Sequence, residues 1–158
     1  PKTAPGGGSF FLDPFESIAH SLAVKPIAAS VNDAAEIESA VTAVAQEPGG
    51  SLIVMPDAFT TVHRQLIILL AARHGLPAIY PYRYQAVEGG LMSYGGNLSE
   101  LYQRVASYVD RLFTGAKPAE LPVEQPTRLA LAINLKTAKA LGLTIPPSLL
   151  LRADHIIE

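Results

Sequence analysis

The chain has 158 residues, a length typical of one domain. Hydrophobic residues make up 49% and charged residues 16%, and the formal net charge of -2 gives no electrostatic case for binding nucleic acid or an anionic membrane. The sequence contains no cysteine, which excludes disulfides, thiolate nucleophiles and cysteine-ligated metals.

The chain opens with a glycine-rich lead at residues 6–8 and then shows a helix start. Asp13 is a preferred N-cap, and Pro14 fits the first helical position because its missing N–H would have no partner there. A start at Ser9 would instead place Pro14 inside the helix, where proline removes a hydrogen bond. The sequence therefore predicts a helix that begins after Asp13.

Strand and helix patterns then alternate. The strand candidates are residues 26–31, 51–55, 77–80 and 90–94, followed by extended pieces at 121–124 and 128–133. The helix candidates are residues 32–46, 61–75, 98–113 and 135–141. The uninterrupted apolar run at 51–55 is typical of a strand that is buried on both faces. The alternation predicts an α/β fold, a three-layer sandwich around a mostly parallel central sheet.

Two helices carry clear end signals. Asn97 and Asn134 are preferred N-caps, because their side-chain oxygens can accept from free N–H groups of the first turn. Gly115 and Gly142 stand where the chain leaves each helix, and glycine tolerates the left-handed conformation that such exits require. We interpret Asn134 as a structural cap rather than a ligand contact.

In open α/β sheets, ligands bind beyond the carboxyl ends of the strands. That rule selects the loops that follow Met55, Tyr80 and Tyr94. In the first loop, Asp57 and Thr60 either bind a polar solute or merely cap the next helix, and the sequence leaves both roles open.

The second and third loops carry aromatic, basic and glycine residues. Tyr82 offers a stacking face and Arg83 a fork that suits a carboxylate, although an exposed loop with packed aromatics would have the same composition. Ser93, Tyr94 and Gly95 could bind a solute or act as hinge residues.

The sequence lacks the motifs of several known enzyme classes. The sequence has no G-x-S-x-G elbow and no histidine–acid set with the spacing of a triad, so no catalytic residue is assigned. No phosphate-binding or dinucleotide-binding motif is present, and the four histidines are scattered singly, so no cofactor and no metal site are expected. A phosphoacceptor receiver domain would need an acidic pair and a lysine that are missing. A small hydrolase would need a nucleophile–base pair that we do not find.

Four segments together resemble one family. They are PKTAPGGGSFF at the start, PGGSLIVMPDAFTTVHR, AARHGLPAIYPYR, and residues 88–158, in which LPVEQPTRLALAINLKTAKALGLTIPPSLLLRAD is the most specific part. They resemble the second half of the ABC-transporter substrate-binding proteins, in the bacterial group that includes tryptophan and tyrosine binders. The resemblance implies a type I periplasmic-binding-protein fold, in which two α/β lobes close over a solute, and it implies no enzymatic activity.

The resemblance implies one lobe over residues 1–158, with the hinge crossings, while the first lobe and the first strand of the second are not part of this chain. The implied function is capture of a small organic solute, such as an amino acid or aromatic compound, for a membrane permease in the periplasm or another extracytoplasmic space. The alternative is a ligand-sensing lobe of a regulator or receptor with the same fold.

The resemblance also implies roles for the strand-end residues. Asp57 would hold an amine or hydroxyl group with Thr60 beside it, Tyr82 would stack on the solute, Arg83 would pair with a carboxylate, and the backbone at 93–95 would act as hinge and donor. An isolated lobe would also expose surfaces that normally meet its partner lobe. Self-association through the helix at 98–113 or through an open sheet edge is therefore expected.

Overall fold

The computed structural model describes residues 9–126 and 128–158, apart from the side chains of Ser9, Phe10 and His20. The predicted glycine lead at 6–8 lies outside the described residues. The strands are β1 (Leu52–Ile53), β2 (Ala78–Tyr80), β3 (Met92–Gly96), β4 (Leu129–Asn134) and β5 (His155–Ile157). The helices are α1 (Ser9–Ala19), α2 (Ala34–Ala45), α3 (Ala58–Val62), α4 (Arg64–Arg73), α5 (Arg83–Val87), α6 (Leu98–Phe113), α7 (Leu135–Ala140) and α8 (Pro147–Leu150).

The five strands form one sheet in the order β1-β2-β3-β4-β5. β1, β2 and β3 are parallel, β4 is antiparallel to β3, and β5 is parallel to β4. The predicted α/β fold with a mostly parallel sheet is therefore confirmed. The reversal at β4 follows from the connection through α6, which leaves and re-enters the same end of the sheet.

The main core lies between the sheet and helices α2 and α4. Ile37 and Val41 of α2 pack in one cluster with Ile67 and Leu70 of α4 and with Tyr80 of β2. These positions recur at helical spacing, so the predicted apolar face of residues 32–46 is confirmed.

Two strand predictions are wrong because the segments have no partner strand among the described residues. Segment 26–31 joins no ladder of the sheet, and residues 121–124 run along α6 instead. There the Tyr108 hydroxyl donates to the Pro122 carbonyl at 2.6 Å, and Arg104 pairs with Glu124 at 2.6 Å. The run at 51–55 yields only β1, and the prediction of a strand buried on both faces is wrong, because Ile53 is 49% exposed on one face of this edge strand.

The boundaries of two predicted helices also differ. Helix α1 begins at Ser9 and contains Pro14, at the cost of the one hydrogen bond that the proline nitrogen cannot donate. The helix predicted at 61–75 is two helices that meet at His63, and the first begins earlier, at Ala58, where the Asp57 side chain caps it. Helices α5 and α8 and strand β5 were not predicted.

The end signals predicted for α6 and α7 are confirmed. The Asn97 side chain accepts from the Ser99 N–H at 3.0 Å, and the Asn134 side chain accepts from the Thr137 N–H at 3.1 Å. Gly115 and Gly142 leave their helices with φ of 103° and 68°, in the left-handed region.

Asn134 has a second bond that sequence reasoning did not foresee. It is 4% exposed, and its Nδ2 donates to the Ala86 carbonyl of α5 at 2.9 Å. One turn on, the Thr137 hydroxyl donates to the Gly89 carbonyl, also at 2.9 Å. These two bonds fix α5 to the junction of β4 and α7.

The arm, defined here as residues 97–126, leaves the sheet after β3 and returns toward β4. Helix α6 has no buried residue, and its apolar side chains lie on one face. The half-exposed members of that face are Leu101, Val105, Val109 and Leu112. Among the described residues no helix is both long and apolar enough to cross a membrane.

The two asparagine caps allow a matched test of the second bond. Replacing Asn134 with alanine removes a cap and leaves the Ala86 carbonyl without its buried donor, so the free energy of unfolding should fall by about 2–3 kcal/mol. Asn97→Ala removes a solvent-exposed cap and the exposed bond from Nδ2 to Glu100 Oε1 at 3.1 Å, leaves no buried group unpaired, and should cost about 1 kcal/mol or less. Urea unfolding of both variants checks this, and equal losses would contradict the role assigned to the second bond.

Candidate functional site

The carboxyl ends of β1, β2 and β3 lie at the same edge of the sheet, because the three strands are parallel neighbours. Each strand leads there into one of the three loops selected from the sequence. The structure therefore brings these loops to one edge, although their side chains differ in what they offer to a solute.

The polar side chains of the first loop bond mainly to backbone groups of the loop itself. The Asp57 carboxylate accepts from the Phe59 N–H at 2.7 Å and so caps α3. Thr60 is 7% exposed, and its hydroxyl lies within hydrogen-bond distance of the Met55 and Asp57 carbonyls at 2.9 and 3.0 Å. Asp57 thus has the capping role that the sequence left open, and the Thr60 hydroxyl points into the loop.

The second loop contains helix α5, with Tyr82 as its N-cap residue. The Tyr82 N–H donates to Gln85 Oε1 at 3.1 Å, and Gln85 is fully buried. Arg83, the first residue of the helix, is exposed, and its guanidinium has no hydrogen bond or ion pair within the described part of the chain. The loop therefore presents a tyrosine ring and a guanidinium group from adjacent positions.

The Tyr82 ring is supported on one side. It stacks on the Tyr84 ring with centroids 5.6 Å apart and an interplanar angle of 13°. The Arg64 guanidinium lies 5.5 Å from the centre of the Tyr84 ring and pairs with Glu88 through contacts of 2.8 and 3.1 Å. One face of Tyr82 thus lies against Tyr84, so a solute that stacks on this ring would use the opposite face.

The electrostatic surroundings keep the Tyr82 phenol neutral. Partial burial is the main cause that raises the pKa of Tyr82, and the nearby phenols of Tyr84 and Tyr102 raise it further. At physiological pH the group is therefore an O–H donor with an apolar ring.

The third loop is the end of β3. Ser93 is 2% exposed and Tyr94 is 50% exposed, as alternation along a strand requires. Residues 93–95 pair with β4, so this segment is a strand with paired backbone rather than an open loop. At Gly95, a Cβ atom would overlap the Pro81 carbonyl oxygen, so only glycine lets β3 lie against the start of the Tyr82 loop.

Sequence reasoning missed the residues that hold the site together. Gln85 carries a recognisable signal, since a glutamine at the third helical position often bonds back to the N-cap N–H. The pairing of Arg64 with Glu88 carries none, because the residues are far apart in the chain and meet only in the fold. No group of three histidine, aspartate or glutamate side chains in the described ranges could hold a metal ion.

The contact between Gly95 and Pro81 can be tested against the next residue. Gly95→Ala forces β3 and the Pro81 loop apart, and we expect it to lower the free energy of unfolding by about 1–3 kcal/mol. At Gly96 a Cβ would meet only the Pro126 side chain at 3.5 Å, so Gly96→Ala should be close to neutral. Thermal or urea unfolding of both variants decides, and a Gly95→Ala variant as stable as the wild type would refute the contact.

Comparison with known proteins agrees with this architecture. A conserved domain protein from Vibrio cholerae O1 biovar eltor is 23% identical with a TM-score of 0.82, over 93% of this chain and 49% of that one. An ABC domain from Streptococcus pneumonia, solved in complex with L-Trp, is 25% identical with a TM-score of 0.82, over 92% of this chain and 50% of that one. The ligand-free, open structure of CD0873 from Clostridium difficile, a substrate binding protein with adhesive properties, is 16% identical with a TM-score of 0.68, over 98% and 52%.

This chain therefore spans about half the length of the structures it matches. No curated protein sequence matches it. A family model described as ABC transporter substrate binding protein matches residues 13–157. Because that match covers most of the sequence, the chain belongs to the ABC transporter substrate binding protein family, whose members bind solutes and are not enzymes.

Proposed function

We propose that this chain is one lobe of the solute-binding component of an ABC importer. The lobe captures a small organic solute in a cleft that it shares with a second lobe. The closed protein, which lies outside the cytoplasm, then delivers the solute to a permease in the membrane. Family membership supports the binding role, and a length about half that of the matched structures supports the assignment to one lobe.

The observation that carries the proposal is the adjacent pair of Tyr82 and Arg83. Tyr82 offers the ring face opposite Tyr84, while Arg83 offers a fork of N–H donors without a partner among the described residues. An aromatic ring and a carboxylate are the two chemical groups that this pair would recognise. We therefore take an aromatic amino acid as the solute class, which is also the class bound by the Streptococcus pneumonia domain.

The other predicted residues complete the half-site. Asp57 borders the same edge of the sheet, and a carboxylate can accept from a solute ammonium group as well as from a helix N–H. Half-exposed Tyr94 adds a second aromatic wall. Buried Thr60 and Ser93 support the loops from beneath, and Gly95 permits their close approach.

The protein encoded by the complete reading frame should bind L-tryptophan, L-tyrosine or L-phenylalanine in calorimetry. Tyr82→Ala should weaken that binding about tenfold through loss of stacking and buried apolar area. Arg83→Ala should weaken it about 10- to 100-fold, because a charge-assisted bond to the carboxylate is lost.

Ligand and protein controls separate these effects. The amide of the bound amino acid lacks the carboxylate, so wild type and Arg83→Ala should bind it equally. Arg73→Ala removes an exposed arginine at the end of α4 and should change nothing. The proposed function is wrong if the protein binds none of the three amino acids. An equal loss of amino acid and amide on Arg83→Ala would refute the carboxylate role.

The second part of the proposal concerns the surface that the arm, residues 97–126, exposes. The apolar face of α6 is covered in the longer protein by the other lobe, because an amphipathic helix with no buried residue needs a partner surface. In the isolated chain this face meets a second copy instead.

The 158-residue chain should therefore dimerise in a concentration-dependent way in sedimentation equilibrium. A double variant with Val105→Glu and Val109→Glu places charge on the apolar face and should be monomeric. Ser107→Glu adds charge to the opposite face and should still dimerise. A wild-type chain that stays monomeric at millimolar concentration would rule out this use of the arm.

A further inference from the structure

Gln85 is a buried side chain with an unusual balance of hydrogen bonds. It is fully buried, and its Oε1 accepts from the Tyr82 N–H at 3.1 Å. Its Nε2 has no hydrogen-bond partner among the described residues. A buried amide with an unpaired donor lowers stability, so an apolar side chain of similar size would suit the core at least as well.

The bond to Tyr82 gives this glutamine a purpose that an apolar residue would not serve. The Gln85 N–H donates back to the Tyr82 carbonyl at 3.0 Å, so two hydrogen bonds close a ring around the first turn of α5. That ring fixes the Tyr82 backbone near φ −126° and ψ 139°. The Cα–Cβ direction of Tyr82, and with it the position of the ring, follows from those angles.

Hydrogen bonds also hold the backbone of Gln85 in place. The Gln85 carbonyl accepts from the Gly90 N–H at 2.9 Å, and the neighbouring Ala86 carbonyl accepts from buried Asn134 at 2.9 Å. The side chain therefore acts from a fixed backbone. Such support is what a preformed binding site needs, because small displacements of a contact residue weaken binding.

We propose that Gln85 is a positioning residue, which holds Tyr82 in the orientation that receives the solute. The proposal builds on the solute-binding function proposed above. It assigns no solute contact to Gln85 itself, whose effect passes entirely through the Tyr82 backbone.

The test separates binding from stability in the protein encoded by the complete reading frame. Gln85→Met keeps the volume and removes both polar atoms, while Gln85→Glu keeps an acceptor for the Tyr82 N–H. L-tryptophan serves as the probe, and Gln65→Met on the exposed side of α4 is the control. We expect Gln85→Met to raise the Kd about tenfold while the urea midpoint stays the same or rises. Gln85→Glu should restore most of the affinity at mildly acidic pH, where the buried carboxyl is neutral.

Two results would overturn the proposal. One is a Kd for Gln85→Met equal to that of the wild type. The other is a loss of affinity in Gln85→Met that is accompanied by a fall in its urea midpoint and that Gln85→Glu does not restore. A residue with a purely structural role would give that result.

Hydrogen exchange on the wild-type protein adds a measurement that needs no variant. The Tyr82 amide should be strongly protected although it belongs to no strand or helix ladder, and exchange at the rate of an open loop would refute the bond to Gln85. If the wild type binds no aromatic amino acid, the proposed function fails. In that case the exchange rate alone decides whether Gln85 fixes Tyr82.

Discussion

A buried polar group that is left unpaired lowers stability, and Asn134 avoids this cost with bonds in two directions. Its Oδ1 caps α7, while its Nδ2 reaches across to the Ala86 carbonyl of α5. Neither element can shift without leaving a polar atom unpaired in the core, which costs more than the bond itself contributes. The position of α5 therefore depends on β4, and so does the position of Tyr82 and Arg83 at the start of α5. In the proposed half-site, the start of α5 is thus held by a contact that would not itself touch the solute.

Two borders of the described structure expose apolar surface. Helix α6 has no buried residue, and at the edge of the sheet Ile53 of β1 is half exposed. Surfaces of this kind are stable only when another surface covers them. Under the proposed function, a half-site that is already formed would let a closing second lobe add contacts without reshaping the first.

Features that depend on neighbouring residues could be predicted from the sequence, whereas contacts between distant segments could not. The caps at Asn97 and Asn134 and the exits at Gly115 and Gly142 depend on a few neighbouring residues, so they could be placed correctly. Segment 26–31 has strand composition, yet a strand exists only where a neighbour pairs with it. The strand-end rule found the three loops, but it could not tell that Thr60 and Ser93 point inward or that Gln85 lies beneath Tyr82. Those facts depend on burial.

The central claim is that the strand-end edge is the solute-binding surface of this lobe. The most direct measurement is a crystal structure of the protein encoded by the complete reading frame, grown with an aromatic amino acid. The account predicts that the solute ring stacks on the face of Tyr82 opposite Tyr84 and that the solute carboxylate lies within hydrogen-bond distance of Arg83. A solute bound elsewhere, with no contact to the loops after β1, β2 and β3, would contradict it.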